Sequence, residues 1–452
     1  MRAITIRSIG LIAAIVGAVA SEPLNADTLR QALERAYRTN PTITGARAGL
    51  RATDEGVALA RAGGRPTLGA TADYQEFVLR STNSFISPER AVSGGLNVNV
   101  PLYQGGRVRN AIRAADARVE AGRAGLRATE ADLFTAVVSV YLDVIRDEVI
   151  VTLNESNVNV LETNFQASRD RFEIGDLTLT DVAQSEARLL TARGQLELAR
   201  AQLDATRENY LRFVGTPPSN LQPPPPLAGL PETSEDAVNI ALANNPQLIV
   251  AKAESMAARY DIGVAKAARL PRIAAIANSN YNNYLGTLGG ADPTRVFNQA
   301  QRTATVGLSS TIPLYQGGAP GAQVRRAQAL LSQSLERTIL VERGVIADTR
   351  AAFSRYRATL TVVVSAQSAV AANELALEGV RAENTVGTRN VLDVLNAQQE
   401  LLNSQVQLVT ARRDSYVAGF ALLAAMGRAE ARDLGLFSGG LYREQDNAPI
   451  RP

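Results

Sequence analysis

The sequence predicts a mixed, mainly α fold. Long antiparallel helical hairpins form an α-barrel, and four β-strands per chain join a transmembrane β-barrel that several chains share. Three observations carry this reading. The 452-residue chain is an internal duplication. Each half holds an alanine-rich, proline-free stretch much longer than an ordinary globular helix. Each half also holds two segments in which apolar and polar residues alternate with period two.

The duplication is plainest in the hexapeptide PLYQGG, at Pro101–Gly106 and again at Pro313–Gly318. Upstream, LRQALERAYRTNPTITGARA (Leu29–Ala48) is echoed by SEDAVNIALANNPQLIVAKA (Ser234–Ala253). Asn40-Pro41 and Asn245-Pro246 mark the same junction in the two copies. Downstream the spacing holds, with Tyr141 matching Phe353, Gly175 matching Gly387 and Asp181 matching Asp393. The long helices therefore have equal length in both copies.

Composition narrows the chemistry. Hydrophobic residues are 46% and charged residues 20%, which argues against disorder. There is no histidine and no cysteine. The imidazole of hydrolase triads, thiol nucleophiles, most zinc sites, disulfides and a lipid-modified cysteine anchor are thus excluded. No enzyme, cofactor or metal is expected. Lys252 and Lys266 are the only lysines among 47 basic residues, and the arginines are dispersed among 44 acids. No basic run with interleaved aromatics occurs, so no nucleic-acid partner is expected.

At the N-terminus Arg2 and Arg7 precede the apolar stretch Ile9–Ala18, and Ala18-Val19-Ala20 supplies an A-x-A pattern before Ser21. This is the form of a secretory signal peptide, residues 1–20. No later segment reaches the roughly 20 apolar residues of a spanning helix, and Val417–Met426 comes nearest.

Each copy then reads in the same order. A short helix ends before Asn-Pro, because proline suits the first turn of the next helix. That helix is stopped by Pro66 or Pro271. Two strands follow. In the first copy Leu68, Ala70, Ala72 and Tyr74 share a face, and Val98 and Val100 alternate with Asn97 and Asn99. In the second, Val306 and Leu308 alternate with Thr305 and Ser309. The expected loops are 81–91 and 286–301. Strands of about ten residues suffice to cross a bilayer when tilted. Four strands in two separate pairs leave edges that cannot face lipid, so several chains must pool them. After PLYQGG a helix runs over 106–172, roughly 100 Å. Its apolar positions Phe134, Val138, Tyr141, Ile145, Val149 and Leu153 drift above a heptad, towards straight or right-handed packing. Turns near Gly175 and Gly387 lead to returning helices that end near Phe213 and Met426. The implied organisation is a first repeat over 21–215, a Pro-rich connector over 216–233, a second repeat over 234–426 and a C-terminal tail over 427–452.

At this point the chain resembles the TolC family of outer-membrane channels over nearly its whole mature length. The marks are the Asn-Pro junctions, the two PLYQGG segments, VGTRNVLDVLNAQQELL (Val386–Leu402) and its partner IGDLTLTDVAQSEARLL (Ile174–Leu190). The resemblance implies a homotrimer in which 12 strands close a β-barrel in outer-membrane lipid and the helices form a periplasmic tunnel. It implies a passive duct of a tripartite efflux or type I secretion system. Its partners would be a periplasmic adaptor (membrane fusion) protein and an inner-membrane efflux pump or ABC transporter. By position, the periplasmic gate falls on Thr180, Asp181, Arg389 and Asp393. Two gate positions depart from the family pattern: Asn384 stands where a tyrosine is expected and Asn396 where a second aspartate is expected. The competing reading is a trimeric coiled-coil adhesin or envelope spacer without a pore. The duplication and the separated strand pairs favour the duct.

The mature chain is expected to begin at Ser21. N-terminal sequencing of the membrane-fraction protein checks this, and a start at Met1 would show that the leader is retained.

Overall fold

The computed structural model describes residues 27–79, 88–289 and 296–436. The signal-peptide region, the tips of both strand-connecting loops and the last 16 residues lie outside the described residues. The first half runs α1 (Leu29–Thr39), α2 (Pro41–Ala62), β1 (Thr67–Glu76), β2 (Arg90–Tyr103), α3 (Arg107–Glu173) and α4 (Leu179–Val214). The second repeats this order as α5 (Ser234–Asn244), α6 (Pro246–Ala267), β3 (Arg272–Asn283), β4 (Ala300–Thr311), α7 (Ala319–Thr385) and α8 (Val391–Ala425). Both α3 and α7 have 67 residues.

The repeated motifs have local causes. Asn40 and Asn245 are N-caps: their side-chain oxygens accept from Thr42 N–H and Gln247 N–H, each at 2.9 Å. Their amide nitrogens donate to Phe213 O and Ala425 O, both at 2.9 Å. Each Asn-Pro thus starts one helix and ties it to the far end of its own hairpin. In PLYQGG, Gly105 and Gly106 have φ +62° and +80°, and Gly317 and Gly318 have φ +57° and +81°. Two successive left-handed residues turn a strand into a helix, a path closed to most side chains. A Cβ on Gly105 would also lie 2.7 Å from Leu270 Cβ.

The four strands form one antiparallel sheet in the order β1-β2-β3-β4. This corrects the expectation of two separate pairs: β2 and β3 join the halves, with Val98 opposite Ala277. The register places Leu68, Val98, Ala277 and Val306 in one row. The adjacent row is Gly69, Asn97, Asn278 and Thr305. Because side chains alternate, one face is apolar and the other mainly polar, with Ala274 and Ile276 of β3 as apolar residues on the polar side. Val100, Ala275 and Leu308 extend the apolar face, and Val306 and Leu308 are 87% and 74% exposed in a single protomer. The outer edges of β1 and β4 remain open.

The core lies at mid-height of the helices. Phe134, Val137, Val138 and Tyr141 of α3 pack with Tyr37, Tyr210, Phe420 and Leu422. Tyr141 Oη lies 2.8 Å from Asp27 O and 2.6 Å from Gln222 O, so it pins both the N-terminal segment and the connector. Leu221, Leu227 and Leu230 of the connector pack on the same core. The described part of the expected tail is also inside it. Ala429, Ala431 and Leu436 are buried, and Arg127 Nε donates to Glu430 Oε1 at 2.7 Å. Beside this pair, burial pushes the Glu130 carboxyl up to about 7, and the negative charge of Glu430 adds to the rise. Donation from Ala431 N–H and the Tyr37 hydroxyl opposes it.

The first hairpin is stitched by ion pairs at intervals of seven. Glu148, Glu155 and Glu162 of α3 meet Arg207, Arg200 and Arg193 of α4 at 3.2, 2.8 and 3.0 Å. Their seven-residue spacing is that of a heptad seam along the exposed side of the hairpin. Of the stripe that suggested the drift, Phe134, Val138, Tyr141 and Ile145 face the mid-height core. Among the described residues no ion pair joins α7 to α8. One stretch of α7 is long and apolar enough to cross a membrane by length and composition, contrary to expectation. Only 11% of that stretch is buried in the protomer, and the helix packs along α8. Its exposed surface calls for neighbouring helices.

Two outcomes follow from these placements. The folded state binds the Glu130 proton more tightly than the unfolded chain, where the carboxyl titrates near 4.5. Stability is therefore lost as pH rises from about 4.5 to about 7 and stays lost above it. Glu130→Gln should flatten the pH dependence of thermal melts between pH 5 and 8.5, and should stabilise the protein at pH 8.5 by up to about 3 kcal/mol. Identical pH profiles for parent and variant would contradict the burial argument. On the sheet, Val98→Arg or Leu308→Arg should lower membrane-assembled yield more than Asn99→Arg, since a charge facing lipid costs about 2–4 kcal/mol at mid-bilayer. Quantitative blotting of membrane fractions reads the difference, and equal losses would mean the faces are reversed.

Candidate functional site

The two hairpin tips are built alike. Gly175 and Gly387 have φ +83° and +80° and end α3 and α7 in the left-handed conformation. The chain then restarts as a capped helix. Thr178 caps α4 and Asn390 caps α8, each accepting from the N–H three residues on, at Asp181 and Asp393. The spacings T-x-x-D and N-x-x-D are thus cap signals in their own right.

This changes the first duty of Asp181. Its carboxylate accepts from Thr178 N–H at 3.0 Å and from Thr178 Oγ1 at 2.7 Å. These bonds hold the carboxyl below its ordinary range. Thr180 is exposed on the same first turn. Arg389 lies on the other tip. Its Nε donates to Glu383 Oε2 at 2.8 Å, and its Nη1 is 3.8 Å from Asp393 Oδ2. Hydrogen bonding to Glu383, followed by the charges of Glu383 and Asp393, raises the Arg389 pKa. Asn384 Nδ2 donates to Arg389 O at 2.8 Å and closes the turn. Within one protomer, therefore, Asp181 and Arg389 do not meet, and each is satisfied on its own hairpin.

Asn396 is different. Its Oδ1 accepts from Arg188 Nη2 of α4 at 2.8 Å, so this residue does join the two hairpins. Next to it Leu395 is 2% exposed and packs with Val158 and Leu161 of α3 and Leu189, Ala192 and Leu196 of α4. Glu383, Arg188 and Leu395 are absent from the residues expected at the gate. Glu383 and Arg188 are single charges without a motif. Leu395 carried a signal, since Val391, Leu395 and Leu402 lie on one helical stripe. Among the described residues no group of histidine, cysteine or acidic side chains is arranged to hold a metal.

Higher up, the hairpins are joined by charge. Arg413 of α8 reaches Asp143 of α3 at 2.9 Å, and Arg146 is 2.9 Å from Asp143 and 2.7 Å from Asp147. Asp147 in turn accepts from Thr206 of α4 at 2.7 Å. These groups are largely withdrawn from water, where ion pairs are specific but contribute little net stability.

Comparisons with known proteins agree with this architecture. The family model described as outer membrane efflux protein matches residues 31–216 and 237–428. The chain is 35% identical over 410 residues to the outer membrane efflux protein BepC of Brucella suis biovar 1 (strain 1330), covering 91% of this chain and 87% of that one. It is 24% identical over 438 residues to the outer membrane protein TolC of Escherichia coli (strain K12), covering 94% and 87%. The crystal structure of the Campylobacter jejuni CmeC outer membrane channel superposes with a TM-score of 0.76 at 15% identity, covering 94% of both chains. With a family model spanning both halves and one relative at 35% identity over nearly the full length, the chain belongs to the outer membrane efflux protein family.

Proposed function

We propose that three copies of this chain form a passive export duct, closed at rest by its hairpin tips. As a member of its family the chain resides in the outer membrane, with the helices in the periplasm. The observation that carries the reading is the sheet. It has one apolar and one mainly polar face, and both its edges are open, at the end of helices too long to bury their apolar surface alone. Three sheets of four strands close a barrel of twelve, and the helices below continue the lumen. The relatives named above are outer-membrane efflux and channel proteins, which lends a pore-free adhesin or spacer no support.

The finer assignments belong to this proposal. Residues 1–20 are the export leader, 21–215 and 234–426 the two structural repeats, and 216–233 the connector, with 427–452 following. The working partners are a periplasmic adaptor and an inner-membrane efflux pump or ABC transporter, which supply the energy the duct lacks. At the tip, Asp181 and Thr180 of one protomer face Arg389 and Asp393 of the next, and Asn384 and Asn396 soften the entrance relative to the family pattern. Support comes from the exposure of Thr180 and Arg389 at the tips. An adaptor opens such a gate only by binding the open form more tightly.

Single-channel recording of the purified protein in planar bilayers tests the duct, and an absence of conductance would return the adhesin reading. For the gate, an exposed ion pair contributes about 0.2–1 kcal/mol, so three contribute roughly 1–3. Asp181→Ala combined with Arg389→Ala should raise resting conductance about 5- to 150-fold without lowering trimer abundance. Thr178→Ala, which weakens the cap but spares both charges, should stay near the parent. If the double variant conducts like the parent, these charges are not the latch.

A further inference from the structure

We propose that Leu395 is an apolar lock that holds the second hairpin tip against the first within each protomer, and that the Arg188–Asn396 hydrogen bond sets its register. This rests on reading the hairpin tips as the gate. Three features of the structure carry it. Near the tips, Leu395 of α8 is buried in one apolar cluster with Val158 and Leu161 of α3 and Leu189, Ala192 and Leu196 of α4, and Val391 of α8 packs against the same cluster. The Arg188–Asn396 bond is adjacent in sequence and bridges the same two helices, α4 and α8. The remaining polar groups of the second tip, Asn384, Arg389, Asp393 and Glu383, bond to one another and so do not hold it to the first.

The socket is also built for release. Asn157 lies one residue before Val158 and one turn before Leu161; the residue is 3% exposed and both its amide atoms lack a hydrogen-bond partner. A buried amide left unpaired is costly, so the closed packing is least satisfied beside the lock. The first hairpin is braced along its length by its three seven-spaced ion pairs. In the second, among the described residues, the only such bracing is at the turn itself, where Arg389 pairs with Glu383 and Asp393. A modest bias can therefore lift α8 out of the socket without disturbing α3 and α4. The two hairpins stay joined higher up through Arg413 and Asp143, which leaves the tip to pivot.

Planar-bilayer recording of intact trimers decides the matter. Leu395→Ala should raise resting conductance roughly tenfold or more, as three buried leucine contacts are lost at once, whereas Leu395→Met should stay near the parent. Glu162→Gln with Arg193→Gln, which removes an exposed ion pair inside the first hairpin at similar height, should leave conductance unchanged. Because the chain has no cysteine, Arg188→Cys with Asn396→Cys can be joined by a bifunctional thiol reagent. Joined trimers should export a large antibiotic from cells at least about tenfold less than the same variant left unjoined. Parent-like conductance of Leu395→Ala, or undiminished export after joining, would overturn the lock. If Leu395→Ala fails to assemble, the joined cysteine pair decides, since Leu395 is intact there. If neither parent nor variant forms a pore, it is the duct that fails.

Discussion

A peptide group cannot sit unpaired against hydrocarbon, and most of this molecule is arranged around that constraint. The sheet of four strands satisfies its inner backbone groups through three antiparallel ladders. Among the described residues the outward groups of β1 and β4 have no ladder partner, and a fourth ladder must come from another copy. That requirement fixes the symmetry. It also demands that each protomer deliver its strands to the membrane with a common tilt and height. The Gly-Gly turns after β2 and β4 and the Asn-Pro junctions below are the parts that set this delivery, and they are the parts that repeat in sequence.

Below the membrane the forces change. The mid-height core is ordinary globular packing, with aromatic side chains from α1, α3, α4 and α8 and straps from the connector and the segment after α8. It turns two hairpins into one body. Further down, the protomer thins to four helices and packing becomes a matter of single seams. The first hairpin uses exposed arginine–glutamate pairs, each of small value but regularly spaced. The second presents leucine and valine to the outside, among them Leu360, Val362, Val364 and Leu375. One hairpin is finished within the chain, and the other is left for neighbours to cover.

How much of this could be read from the residues follows from the range of the forces involved. Helix limits, the left-handed glycines and the two faces of the sheet are local or period-two properties, and the alternation of Val98 with Asn97 and Asn99 declares its faces without any knowledge of the partner strand. The pairing of β2 with β3 was not readable, because strands from different halves meet through tertiary placement rather than a turn. The docking of Ala429, Ala431 and Leu436 was hidden for a similar reason: a short segment without periodicity does not announce its cavity. At the candidate gate, the turns at Gly175 and Gly387 were readable, whereas the bonds each tip makes within its own hairpin were not. Asp181 and Asp393 serve their own helix starts first, and the residue that fills the space between hairpins, Leu395, looks like any other leucine on an amphipathic stripe.

The equal length of α3 and α7 has a consequence for how such a chain can change over time. Each residue added to one of these helices lowers its tip by about 1.5 Å and rotates everything below by about 100°. A single insertion in α3 alone would turn its apolar seam away from α4 and α8, and seven residues would restore the seam but leave the two tips about 10 Å apart in depth. Length variation is therefore tolerable only in matched pairs of whole heptads, inserted into both descending helices and both returning ones. The duplicated half is in this sense a ruler: whatever spacing one copy adopts across the periplasm, the other is bound to copy.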